Sequence, residues 1–247
     1  MLDAEFWQQY FKTYDILNIV IPYQELMEEL IKESVVNKGD LVLDAGAGTG
    51  NLAVRLKQRG ANVVALDNSE EGLRQLRVKD QEIGIIFHDL AKPLSFSDDY
   101  FDKIVSNNVI YTLAPGDRDK VFKEFYRILK PGGKIVISNV REGWNPVNIY
   151  KDHFKKDIKK IGFWCLILKV FKMIVPTVKM FYYNSKIKKN EGAGHLMKDN
   201  EQKELLIRNG FVEVSENKLV YAGQAILNSA IKPRDYESIK RDQLKNK

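Results

Sequence analysis

The sequence predicts an α/β fold with a parallel sheet and helices on both faces. Three observations carry this. Short apolar runs alternate with stretches of helical spacing from residue 41 to residue 140. The first run, Leu41-Val42-Leu43, ends at Asp44 and passes into three glycines, Gly46, Gly48 and Gly50, before helical spacing starts at Asn51. The strand-turn-helix order then repeats along the chain. A buried strand that halts in glycines and restarts as a helix is a nucleotide-binding opening. Glycine takes backbone angles that other residues avoid and lets a ligand approach the main chain.

The elements follow in order. Residues 3–35 read as helical with a break before Pro22. Strands are expected at 41–44, at "NVVALD" 62–67, at "GIIFHD" 84–89, at 101–107 and at "GKIVISNV" 133–140. Helices are expected between them at 51–59, 69–78 and 117–129, with 90–100 a loop. "LKPGG" at 129–133 reads as a helix stop, since proline and glycine close the last turn. After residue 140 the alternation breaks. Residues 141–198 are aromatic and lysine-rich, and helical with a break near Pro176. Regular structure resumes in "MKDNEQKELLIRNGF", with Asp199 as N-cap, Gln202 in capping-box position and Asn209-Gly210 as C-cap. Two strands follow, at about 211–216 and 219–228, and a charged tail begins at Lys232.

Charge is unevenly spread. The chain of 247 residues carries +6, yet residues 151–190 alone hold eleven lysines, no arginine and two aspartates, a local charge of +9. The remainder is mildly acidic. A hydrophobic content of 44% excludes a disordered chain. A single cysteine, Cys165, excludes an internal disulfide. The opening "MLDAEFWQQY" has acids where a secretory leader has positive charge, and no window has the ~20 apolar residues of a spanning helix. A cytoplasmic protein is expected, with a peripheral membrane contact through 151–190 as an additional reading.

"VLDAGAGTG" resembles motif I of the class I S-adenosylmethionine-dependent methyltransferases, an acid, any residue, then Gly-x-Gly-x-Gly. A dinucleotide enzyme more often shows two residues before the last glycine, where only Thr49 stands here. Asp67 ends the second strand in "VVALDNS", and Asp89 ends the third in "FHDL". "FDKIVSNNVIYTL" and "EFYRILKPGGKIVIS" resemble the family's fourth strand and its approach to the fifth. The likeness is strong over 38–140 and weaker over 199–228, through "LLIRNGFVEV". It points to the branch that includes the ubiquinone and menaquinone methyltransferases and many small-molecule enzymes.

The resemblance implies a Rossmann-like, doubly wound sheet of seven strands, mostly parallel, with one antiparallel strand. It implies an N-terminal helical cap (1–35), a cofactor domain (36–140 and 199–231) and a helical substrate-lid insertion (141–198). It implies that S-adenosyl-L-methionine is held by Asp44, Gly46, Ala47, Gly48, Thr49 and Gly50, and leaves as S-adenosyl-L-homocysteine. Asp67, with Asn68 beside it, would accept the two ribose hydroxyls, and a carboxylate suits vicinal hydroxyls. Asp89 would meet the adenine amino group, with Leu90 near the ring. Asn107 and Asn108 lie at the ligand end of the fourth strand, Tyr111 faces the acceptor, and Tyr10 and Tyr14 fall on a helix that covers the cofactor. Each position also has a structural reading: Asp67 as a cap for the helix near Ser69, Asp89 as a loop acid, the asparagines as turn residues, Tyr111 as a core aromatic.

The three histidines, His88, His153 and His195, have no ligand-like spacing, and with one cysteine no zinc pattern arises. No metal is expected. His195, in "EGAGHLM", is the general-base candidate, with Tyr111 the other catalytic candidate. The expected acceptor is a small or lipid-like molecule, apolar or anionic, methylated by in-line displacement. Two alternatives stand beside it. One is an RNA methyltransferase, disfavoured because 151–190 lacks arginine and "SNNVIY" lacks prolines after strand four. The other is a non-catalytic cofactor-binding partner subunit.

Overall fold

The computed structural model describes residues 4–161, 174–183, 185–186 and 196–234. The alternation yields strands β1 (Leu41–Ala45), β2 (Asn62–Asp67), β3 (Gly84–Phe87), β4 (Phe101–Asn107) and β5 (Leu129–Val140), then β6 (Lys218–Val220) and β7 (Ala225–Ile231). They form one seven-stranded sheet of order β3-β2-β1-β4-β5-β7-β6. Pairing from β3 through β5 is parallel, with Leu43 opposite Val64 on one side and Ile104 on the other. β7 runs antiparallel to both β5 and β6. The fold is therefore the doubly wound sheet that the sequence predicts, with one antiparallel strand.

Central strands covered on both faces are apolar almost throughout, and Val42, Leu43, Ala45, Ile104, Val105 and Ile135 to Ile137 are all buried. The covering helices are α1 (Ala4–Tyr14), α2 (Ile21–Ser34), α3 (Asn51–Gln58), α4 (Glu70–Lys79), α5 (Pro115–Ile128), α6 (Pro146–Ile161), α7 (174–183) and α8 (Glu201–Arg208). Each buries one stripe, such as Leu26, Met27 and Leu30 of α2 or Val121, Phe122 and Phe125 of α5. A 3-10 turn, Asp15–Ile19, separates α1 from α2, whose first turn holds Pro22.

Five local readings need correction. Pro131-Gly132-Gly133 lies inside β5 instead of ending a helix. Leu129 already pairs with Phe101, the register slips before Lys103, and Gly132, at φ +78°, takes up the irregularity. The stretch 219–228 is two strands joined by a turn in which Tyr221, Ala222 and Gly223 all have positive φ. Residues 211–216 form no strand, and only Val212 bridges, to Ile231. At α8 the N-cap is Asn200, while Asp199 pairs with Arg141. Gln202 makes no capping box. It is buried, donates to the Ile137 carbonyl and the Asn228 side chain, and accepts from Asn139 at 2.6 Å. Asn139 in turn accepts the Tyr111 backbone N–H, so this polar network braces the segment after β4.

Candidate active site

A cavity of about 260 Å³ opens at the carboxyl ends of β1, β2 and β4. The connections leave the sheet in opposite directions between β1 and β4, and that crevice is where open α/β sheets take ligands. The turn after β1 is fastened to β2, because the Gly46 and Ala47 amides both donate to the Leu66 carbonyl. Gly46 and Gly48 have φ of +81° and +54°. A Cβ on Gly46 would sit 2.2 Å from Val109, and one on Gly48 2.8 Å from the Phe11 ring. Both positions need glycine for space as well as for conformation. Gly50 differs. It caps α3, and a Cβ there would strike Leu76 of α4.

Asp44 and Asp67 face the cavity from adjacent strands. Asp67 is held by two backbone donors, the Gly48 amide on Oδ2 and the Ser69 amide on Oδ1, both at 2.8 Å. Ser69, and not Asp67, caps α4, its hydroxyl accepting the Gly72 N–H. Burial pushes the Asp67 carboxyl up to about 6 against the pull of the Gly48, Ser69 and Asn68 backbone. Burial, then the neighbouring Asp67 charge, pushes Asp44 up to about 7, and Asp44 Oδ2 is buried without a hydrogen-bond partner. Asn107 and Asn108 line the same cavity, and each leaves Oδ1 buried and unsatisfied. Asn108 sits at φ +57°, its amide donating to Ser138. Buried acceptors without donors are costly, so this cluster is built for a ligand that brings donors or positive charge.

Of the other expected residues, Ala47, Asn68, Asp89, Leu90, Tyr111, Tyr10 and Tyr14 line the cavity as well. Asp89 Oδ1 accepts the Ala91 amide. Thr49 does not line it, because its hydroxyl turns away to donate to Asp15 at 2.7 Å, and Gly50 does not line it either. His88 lines the cavity. His153 instead accepts the Ile21 amide between α6 and α2. His195 lies outside the described residues. Burial pushes the Tyr111 hydroxyl up to about 12, so it stays protonated near neutrality.

Sequence reasoning missed much of the far wall. Phe11, Tyr23, Trp144, Ile149, Tyr150, Met180 and Tyr221 all line the cavity. The one local signal was the aromatic spacing on α1, where Tyr10, Phe11 and Tyr14 pack ring to ring over the glycine turn. Among the described residues the lining includes Asp44, Asp67, Asp89 and Asp117 but no lysine or arginine.

The raised acids give a pH signature. Their folded values exceed the ordinary 3.8, so from about pH 4 to pH 7 the folded chain binds more protons than the unfolded one. Ligand-free stability should therefore fall as pH rises through that window. A cationic ligand prefers both carboxylates ionised, so its affinity should rise with pH up to about 7, by at most ~10-fold per unit for each proton displaced. Calorimetry of S-adenosylmethionine binding in buffers of different ionisation enthalpy reads that proton release, and Asp44→Asn should flatten the profile. A flat wild-type profile would remove Asp44 from the binding site.

The chain is similar to methyltransferases in sequence and in fold. Residues 43–137 match a family model described as a methyltransferase domain. The ubiquinone/menaquinone biosynthesis C-methyltransferase UbiE of Rickettsia bellii is 32% identical over 171 residues, 60% of this chain and 65% of its own length. The chain thus spans just under two thirds of that relative. Among solved structures, a SAM-dependent methyltransferase from Aquifex aeolicus aligns with a TM-score of 0.60 at 16% identity, covering 94% of this chain and 99% of that one. Magnesium protoporphyrin IX methyltransferase from Synechocystis, with bound SAH, aligns at 0.58 and 18% identity, covering 89% and 87%. At such identities the two structures speak for the fold.

Proposed function

We propose that the chain, whose residues 43–137 match a methyltransferase domain, is a class I S-adenosylmethionine-dependent methyltransferase that transfers a methyl group to an uncharged, apolar small molecule or lipid-like acceptor. The observation that carries this reading is the division of one cavity into two chemistries. Its sheet end offers unsatisfied acceptors and carboxylates. Its far wall offers tyrosine, tryptophan, isoleucine and methionine side chains.

The residues present fit the cofactor. Asp67 would take the ribose hydroxyls on lone pairs left free beside its two backbone bonds. Asp89 and Leu90 would meet the adenine. Asp44 and the glycine turn would face the charged end. When bound, S-adenosylmethionine supplies a methyl carbon made electrophilic by its sulfonium. Everything else falls to the chain. Phe11 and Tyr10 cover the turn and exclude water. Tyr111, Trp144, Ile149, Tyr150 and Met180 hold an acceptor in line with the cofactor end, and such positioning is worth several kcal/mol of barrier. Residues 141–198 are assigned to acceptor cover, because Trp144, Ile149, Tyr150 and Met180 all come from them. The lining has aspartates and no cation among the described residues, which argues for an uncharged acceptor over an anionic one.

Methyl-labelled S-adenosylmethionine, incubated with the purified protein and fractionated cell extract, tests the reading. Label should enter a solvent-extractable small-molecule fraction. Label in nucleic acid would overturn the acceptor class. Tight cofactor binding with no transfer to any fraction would favour the non-catalytic subunit.

A further inference from the structure

We propose that the outer faces of α6 and α7 form a docking surface for an anionic lipid membrane. The two helices present opposite characters on their two sides. Inward, Ile149 and Tyr150 of α6 and Met180 of α7 are buried at the cavity wall. Outward, Lys151, Lys155 and Lys159 recur every fourth residue along α6, and the exposed Val147 and Ile158 share that side. These lysines have no ion pair among the described residues. Their neighbour Lys156 is the contrast, held by Glu25 and Asp152. On α7 the exposed side chains are Ile174, Val175, Val178 and Tyr182, with Val175 and Val178 more than 60% exposed and Lys179 also in the open.

Exposed β-branched aliphatics on a helix gain nothing in water. Beside unpaired lysines they have the make-up of an interfacial helix, whose apolar residues enter the headgroup layer while basic ones meet anionic lipid. Other occupants fit less well. A second copy docked through the same patch would set lysine against lysine. Nucleic acid would use the charge but leave the aliphatics idle, and 151–190 holds no arginine for phosphate forks. No described helix is long and apolar enough to cross a bilayer, so the contact lies on the surface. The consequence is geometric. The outer side of the wall that bounds the apolar half of the cavity would rest on the phase where a lipid-like acceptor is dissolved.

Vesicle flotation tests this without cofactor or turnover, so its failure leaves the methyl-transfer reading untouched. The probes are phosphatidylcholine vesicles with and without phosphatidylglycerol, at low and high salt. The full chain should float with anionic vesicles at low salt and be released by high salt. Lys151→Gln/Lys155→Gln/Lys159→Gln should weaken binding roughly 100-fold, at about fivefold for each lysine near an anionic surface. Val175→Ser/Val178→Ser should weaken it with the salt dependence kept. Far-UV circular dichroism and thermal unfolding check that both variants remain folded. Equal binding to neutral and anionic vesicles, no binding at low salt, or unchanged binding by either variant overturns the proposal. Binding to RNA at the same salt without vesicle binding overturns it in favour of nucleic acid.

Discussion

Gly48→Val should abolish S-adenosylmethionine binding while the far-UV circular dichroism stays near that of the wild type. Gly48 sits at φ +54° with its missing Cβ aimed at the Phe11 ring, 2.8 Å away. A branched side chain there wedges between the glycine turn and α1, where the proposed cofactor would approach the main chain. It also pushes Phe11 off the turn. Left-handed backbone costs an L-residue ~1–2 kcal/mol. That is small against the ~5–15 kcal/mol of a typical domain, and Phe11, although buried, belongs to α1 and not to the sheet. The fold should therefore survive. Binding should not, because the new methyl groups occupy ligand volume and cannot relax into the sheet. Calorimetry reads the affinity directly, and retained affinity in the folded variant would place the ligand elsewhere.

The glycine turn was legible because backbone geometry leaves a residue signature. Only glycine tolerates Gly46 beside Val109 and Gly48 beside Phe11, so the spacing survives in the sequence as a pattern. Asp67 was legible for a related reason, since an acid at a strand end beside such a turn has backbone N–H groups waiting for it. Motif membership did not reveal direction. Thr49 belongs to the same run, yet its hydroxyl serves Asp15 in the 3-10 turn, a contact that no local spacing encodes. Gln202 shows the same limit. Three residues after Asp199 it has capping-box spacing, but the fold carries it into a buried network with Asn139 and Asn228. The far wall was least legible. Trp144, Met180 and Tyr221 come from separate elements, and each alone reads as an ordinary core residue. Their meeting is a property of topology, as is the division of the α6 lysines. Periodicity spreads lysines around the helix, and only the position of Glu25 shows that Lys156 is spent while Lys151, Lys155 and Lys159 face outward.

Asp67→Asn should weaken S-adenosylmethionine binding by ~1.5–3 kcal/mol, about 10–150-fold, the range for hydrogen bonds to a charged group. The amide keeps one acceptor oxygen and loses the other, so it cannot satisfy the Gly48 and Ser69 N–H groups and both ribose hydroxyls together. One of those demands fails, and the exposed end of the bargain is the ligand. The substitution also acts on the turn, because either the Gly48 or the Ser69 amide then faces an NH2 group. A drop in affinity alone does not separate the two effects. A ligand without ribose hydroxyls does. If Asp67 accepts the hydroxyls, the variant and the wild type should bind a 2′,3′-dideoxy analogue with similar affinity, and the loss should be confined to the intact cofactor. If Asp67 only fastens the turn, both ligands should weaken in parallel. The pH profile reads the burial of the carboxyl apart from the ligand. Asp67 ionises at about 6 in the folded chain, above its ordinary 3.8, so its charge burdens the ligand-free protein above that pH. The neutral variant should therefore be more stable, relative to wild type, at pH 8 than at pH 4, even as it binds the cofactor less well. A variant that weakens binding of both ligands equally would reduce Asp67 to a turn residue and leave the ribose without its acceptor.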